Sequence, residues 1–91
     1  MLELPTQLTL REARPMLAAL SQRLRAEPSG AAVVVDARAL QHIDSAALAL
    51  LLDLQRQARA QGRPLRIEGA PARLLELARL YGVEALLALA D

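Results

Sequence analysis

"AAVVVDARALQHIDSAALALLL", Ala31 to Leu52, decides how the chain is read, because it passes from a strand through a loop into a helix. Ala31 to Val35 is a continuous apolar run, β-branched from Val33, and Asp36 closes it. Such a run predicts a strand buried on both faces, as in a parallel sheet. "DARALQHI", Asp36 to Ile43, reads as a loop. Asp44 and Ser45 then open a helix whose first turns, Ala46 to Leu52, carry only apolar side chains. The helical spacing runs to about Ala60, and Gly62 supplies the stop.

The flanks repeat the alternation. "LELP", Leu2 to Pro5, is a short strand. "TLRE", Thr9 to Glu12, has the spacing of a capping box, with Thr9 at the cap and Glu12 reaching back. Pro15 fits the first turn of a helix and not its interior. The first helix therefore either begins at Thr9 and is distorted, or begins nearer Pro15. Its apolar positions Met16, Leu17, Leu20 and Leu24 keep helical spacing, and "EPSG", Glu27 to Gly30, ends it as a loop. "PLRIEG", Pro64 to Gly69, is the third strand. "APARLLELARLYG" is a third helix, with Pro71 at its start and Gly82 at its end, and "VEALLALA", Val83 to Ala90, reads as a final helical turn or two. Strand and helix alternate three times. That order predicts an α/β sandwich: a short, mainly parallel sheet with right-handed crossovers and helices packed on it. With 91 residues and no linker, repeat or low-complexity tract, residues 1–91 read as one domain.

Composition narrows the function. Hydrophobic residues make up 54% of the chain and mean hydropathy is +0.22, yet there is one Tyr and no Phe or Trp. The core is aliphatic, and the excess apolar character points to surface that a partner could cover. The longest unbroken apolar run, Ala46 to Leu52, falls far short of the ~20 residues a bilayer span requires. "MLELPTQLT" lacks the basic and apolar regions of a secretory signal, so the cytoplasm is the expected compartment. No cysteine is present, which leaves no disulfide frame and no thiolate chemistry. A net charge of +1 argues against nucleic acid or another polyanion as partner. All eleven basic residues are Arg, spread along the chain, which reads as compositional bias more than as a site.

At ~100° per residue, Ala47, Leu51, Leu54 and Ala58 form one apolar stripe along the second helix, its core face. Ser45, Ala49, Leu52 and Arg56 line up nearly opposite, with Ala46 and Asp53 beside them. The outward face is thus small and apolar at first and charged afterwards. A solvated face would carry Glu, Lys or Arg in those turns, whereas a smooth Ala-rich face lets another helix or loop approach closely. The chain's general Ala and Leu richness is the competing explanation. Either Asp44 or Ser45 can be the N-cap, which stabilises a helix by about 1 kcal/mol. If Asp44 caps, the Ser45 hydroxyl is free at a positive helix end, where a phosphate is favoured.

The buried "VVVD" strand, the loop, "IDSAALALLL", a helix ending at Gly, and "PLRIEG" together resemble the STAS domain family, over Leu2 to about Leu87. The family's motif is a hydrophobic residue, Asp, then Ser or Thr, followed by Ser/Gly, Gly and Leu. Ile43, Asp44, Ser45 and Leu48 match it, while Ala46 and Ala47 replace the usual small pair. Members usually begin with a β-hairpin, so the resemblance implies a sheet trimmed at one edge, or an edge paired in a homodimer. "LALLLDL" and "LARLYGV" look like MlaB, the STAS subunit of a bacterial phospholipid ABC transporter, which sits on the cytoplasmic ATPase. That resemblance implies a non-enzymatic module, without cofactor, on an MlaF-like ATPase in complex with a permease, peripheral to the inner membrane. The partner contacts expected are His42, Asp44, Ser45, Ala46, Ala49, Leu52, Asp53 and Arg56. The alternative within the family is an anti-sigma factor antagonist switched by phosphorylation of Ser45.

Other chemistry finds little support. His42 is the only histidine, and no ligand spacing for a metal surrounds it. Asp36 and Asp44 could be drawn as an acid/base pair, but Asp36 at a strand end is expected to bind loop amides. Ser45, His42 and an Asp suggest a triad without any nucleophile-elbow pattern. No Gly-rich phosphate loop is present, so any ATP must be bound by the partner. Arg73 and Arg79 are six positions apart and do not focus on one anion site.

Overall fold

The computed structural model describes residues 1–26 and 32–87. Five short strands, β1 (Leu2–Glu3), β2 (Gln7–Leu8), β3 (Val33–Asp36), β4 (His42–Ile43) and β5 (Leu65–Glu68), alternate with helices α1 (Leu10–Ala26), α2 (Ser45–Ala60) and α3 (Ala72–Leu80), and a 3-10 turn follows at Glu84–Leu86. β1, β3 and β5 form one parallel sheet in that order, and β2 pairs with β4, also in parallel. This is the small α/β sandwich with a short parallel sheet that the alternation predicts. The loop expected at Glu27 to Gly30, together with Ala31 and Ala88 to Ala90, lies outside the described residues.

Local rules explain most boundaries. Glu12 reaches back to Thr9 at the start of α1: the Thr9 N–H and hydroxyl both donate to Glu12 Oε1, at 2.9 and 2.6 Å, and the Thr9 carbonyl accepts the N–H groups of Glu12 and Ala13. α1 therefore starts at Leu10 and runs through Pro15, which settles the two starts left open by the sequence. Pro15 is exposed and lies within the second turn. α2 and α3 both end at a glycine in the left-handed region, Gly62 (φ +68°) and Gly82 (φ +69°). Gly62 and Arg63 donate to the carbonyls of Arg59 and Ala58, and Gly82 and Val83 to those of Arg79 and Ala78. Each is a Schellman ending, in which the two amides satisfy orphan helix carbonyls.

Two expectations are corrected. β3 is covered on one face, not two. Val33 and Val35 are buried with Leu2, Leu65 and Ile67, whereas Val34 and Asp36 are half-buried and Glu3 and Arg66 are exposed. In register, Glu3, Asp36 and Glu68 form one row on that open face, next to the Val34–Arg66 pair. An apolar run cannot reveal how many layers cover it: on the central strand Val34 is sheltered by its neighbours' side chains without a second layer. The loop reading of Asp36 to Ile43 also changes, because its last two residues are β4. His42 and Ile43 pair with Gln7 and Leu8, and the Gln41 and His42 amides donate to the Thr6 carbonyl. Two-residue strands leave no periodicity to read.

The core lies between the three-stranded sheet and the helices. Leu20 and Leu24 of α1, and Ala47, Leu50, Leu51, Leu54 and Ala58 of α2, join Val33, Val35, Ile67, Leu74 and Ala78 in one cluster. The leucine, isoleucine and valine side chains contribute roughly 1.5–3 kcal/mol each when fully buried. The Gln57 amide donates to Ser21 Oγ at 2.9 Å, tying α2 to α1. Arg63 is buried as well, at 2% exposure, and its Nη1 donates to the Leu24 carbonyl in the last turns of α1 at 2.8 Å. One arginine thus ends α2 and holds α1.

Candidate functional site

The start of α2 is organised by Asp44, which is its N-cap. Oδ1 accepts the Ala46 N–H at 2.8 Å, and Oδ2 accepts the N–H of Leu10, the first residue of α1, at 3.0 Å. A single carboxylate thus joins two positively polarised helix ends. With Asp44 as cap, Ser45 is the first helical residue. Its side chain is exposed, and no hydrogen bond is formed by its hydroxyl among the described residues.

The outer face of α2 follows the helical wheel. Ser45, Ala49 and Arg56 are exposed, Ala46, Leu52 and Asp53 half-buried, and Ala47, Leu51, Leu54 and Ala58 buried. Asp53 Oδ1 accepts from Arg56 Nη2 at 2.6 Å, so the charged end of the face is internally neutralised. His42 is exposed on β4, two positions before Asp44 along the chain.

These residues do not form one flat patch. Ala46, Ala49, Leu50 and Asp53 line an open groove of ≈ 360 Å³ whose other wall is α1, through Leu10, Ala13, Arg14 and Leu17. Leu52 and Arg56 face away from it, into a smaller hollow of ≈ 240 Å³ shared with Gln55, Arg59 and Leu86. The outer face is therefore a ridge between two hollows. The α1 wall was missed in the sequence, although Leu10, Ala13, Arg14 and Leu17 stand at i, i+3, i+4 and i+7. The stripe was read only from Met16 onward because Pro15 interrupted it. Leu10 overhangs the groove at 79% exposure, and Leu86 stands beside the second hollow at 59%. Exposed leucines flank the ridge on both sides.

The carboxylates considered for acid/base work have local partners. Asp36 accepts from the Arg38 side chain through both oxygens, at 3.1 Å each, and from the Arg38 N–H at 3.0 Å. These bonds from the guanidinium, then from the amide, hold the Asp36 carboxyl below its ordinary value. Arg38 in turn packs on Gly69, whose φ is +71° and where a Cβ would stand 2.1 Å from Arg38 Cγ. Asp36 thus shapes the β3–β4 loop, and both Asp44 oxygens are engaged by backbone amides. Glu12 is held below its ordinary value by the Thr9 hydroxyl first and the Thr9 N–H second. Among the described residues no group of three His, Asp or Glu side chains could hold a metal ion, and no helix is long and apolar enough to cross a membrane.

A family model described as "Mlab, STAS domain" matches residues 1–88. No curated protein sequence matches the chain.

Proposed function

The chain belongs to the STAS domain family, whose members are generally non-catalytic regulatory or accessory modules, and from that premise we propose that it docks on the ATPase of an Mla-type phospholipid ABC transporter. The ridge of α2 is the docking element in this reading. One observation carries it: the first turns of α2 expose Ala49 and half-expose Ala46 and Leu52, where a solvated helix would carry charge. Small side chains let a partner helix approach closely, and removal of the apolar face from water contributes ~25 cal/mol per Å², less the cost of association. Asp44 sets the pitch of the ridge against α1, and His42 and Ser45 form its upper end. Nucleotide is bound by the ATPase and not by this chain. The complex, with its permease, places the chain at the cytoplasmic side of the inner membrane.

The test is co-purification with the transporter ATPase of the same organism. Ser45→Arg and Ala49→Glu each put a long charged side chain on the ridge and should abolish capture while circular dichroism and thermal unfolding stay native. Unimpaired capture by both folded variants would remove the interface assignment.

A second reading is a phosphorylation switch at Ser45, as in anti-sigma factor antagonists. The free, exposed hydroxyl beside the capped helix start favours it. It predicts a mass increase of one phosphate with a cognate kinase and ATP, and release of the partner by that modification.

A further inference from the structure

We propose that the groove between α1 and α2 receives an amphipathic helix of the partner that carries carboxylates beside its aliphatic stripe. The inference deepens the docking reading above and rests on that face being an interface, though not on which protein covers it. Its floor is apolar: Leu10, Ala13 and Leu17 on one side, Ala46, Ala49 and Leu50 on the other. Its charge is one-sided. Asp53, the acidic group in the lining, is already satisfied by Arg56. Arg14, the basic group in the lining, is exposed and has no hydrogen bond or ion pair among the described residues, and Arg11 one turn earlier is likewise exposed and free. The upper end of the groove lies where α1 and α2 both begin, and there the Asp44 carboxylate offsets the positive helix ends, so the positive charge of the groove is that of the arginines. Asp44 spends its two oxygens on amides of those two ends. An occupant with lysines along its flank would meet unpaired cations; one with glutamates would form fork-shaped pairs with Arg14.

Leu10 has a defined part in this. At 79% exposure on the first residue of α1, with its backbone held by the Asp44 bond to its N–H, it is an apolar knob at the groove's mouth. A backbone already held in place adds no ordering cost of its own on binding, which favours Leu10 as an anchor.

The experiment uses two synthetic helical peptides with the same leucine stripe, one flanked by glutamates and the other by lysines, titrated into the ¹⁵N-labelled chain. The glutamate peptide should shift the amides of Leu10, Arg14, Ala46 and Ala49 and bind about ten-fold or more tightly than the lysine peptide. Arg14→Glu should reverse that preference, and added salt should weaken the wild-type complex. Leu10→Ser should weaken both peptides without changing the preference. Equal binding of the two peptides, shifts confined to another surface, or no binding of either would overturn the proposal. A chain that takes the glutamate peptide in the groove but no Mla-type ATPase refutes the partner named above and leaves the groove's chemistry standing. ATPase binding that is lost in Ala49→Glu yet untouched by Arg14→Glu and Leu10→Ser does the reverse.

Discussion

Replacement of Asp44 separates its two structural duties. Alanine removes both bonds at once: the cap on Ala46 N–H and the tie to Leu10 N–H. An N-cap replaced by alanine costs about 1 kcal/mol. The second bond lies in a more exposed setting, where a typical net contribution is also about 1 kcal/mol. Asp44→Ala should therefore destabilise by about 2 kcal/mol, which in a domain of this size lowers Tm by about 10 °C. Asparagine keeps one oxygen, which can still cap α2, but turns an NH₂ donor toward the Leu10 N–H. Asp44→Asn should cost about half as much as alanine. Urea unfolding measures both, with the midpoint falling and the slope unchanged. Amide exchange adds the local view: in Asp44→Asn the start of α1 should lose protection while the start of α2 keeps it. An asparagine variant as stable as wild type would mean that the tie between the helices contributes nothing. An alanine variant within 0.5 kcal/mol of wild type would refute the bridging role altogether, since that is the ordinary scatter of about ±0.5 kcal/mol for surface substitutions.

Arg63→Ala removes a buried guanidinium that binds the Leu24 carbonyl and leaves that acceptor without its partner. It should cost about 2–3 kcal/mol in urea unfolding, with loss of protection concentrated at the end of α1; a cost under about 0.5 kcal/mol would show that the contact is incidental. Acid provides another check. Glu12 and Asp36 are both lowered from ordinary values of 4.5 and 3.8, so their contribution is complete above those values and is lost as pH falls through the lowered folded-state values. The unfolding midpoint should fall from about pH 5 downward, and Glu12→Gln with Asp36→Asn should flatten that limb; the same acid limb in the double variant would refute the assignment.

Much of this architecture was legible because short-range rules fixed it. Thr9 with Glu12, Gly62 and Gly82 mark helix ends by satisfying particular orphan groups, and those groups sit next to the residues that satisfy them. The core stripe of α2 was legible for the same reason: Ala47, Leu51, Leu54 and Ala58 recur at the helical period. The resemblance to the STAS family, read in part from Ile43, Asp44 and Ser45, is borne out by the family model over residues 1–88. What escaped depends on contacts far apart in the chain. The β2–β4 pair exists because Thr6 and Gln41 meet through a carbonyl and an amide. Arg63 is buried because Leu24 lies beside it, and nothing near position 63 says so. The groove escaped for a double reason. Pro15 hid the beginning of α1's apolar stripe, and only contacts between distant residues, such as the ties from Asp44 to Leu10 and from Gln57 to Ser21, show that this stripe faces α2.

The open face of the sheet offers a natural control for the docking claim, since Arg66 is exposed there on the side away from the helices. A photo-cross-linking residue placed at Ala49 and, separately, at Arg66 reports which surface the partner covers. With the Mla-type ATPase present, the account predicts an adduct from position 49 and none from position 66. An adduct from position 66 alone would contradict it.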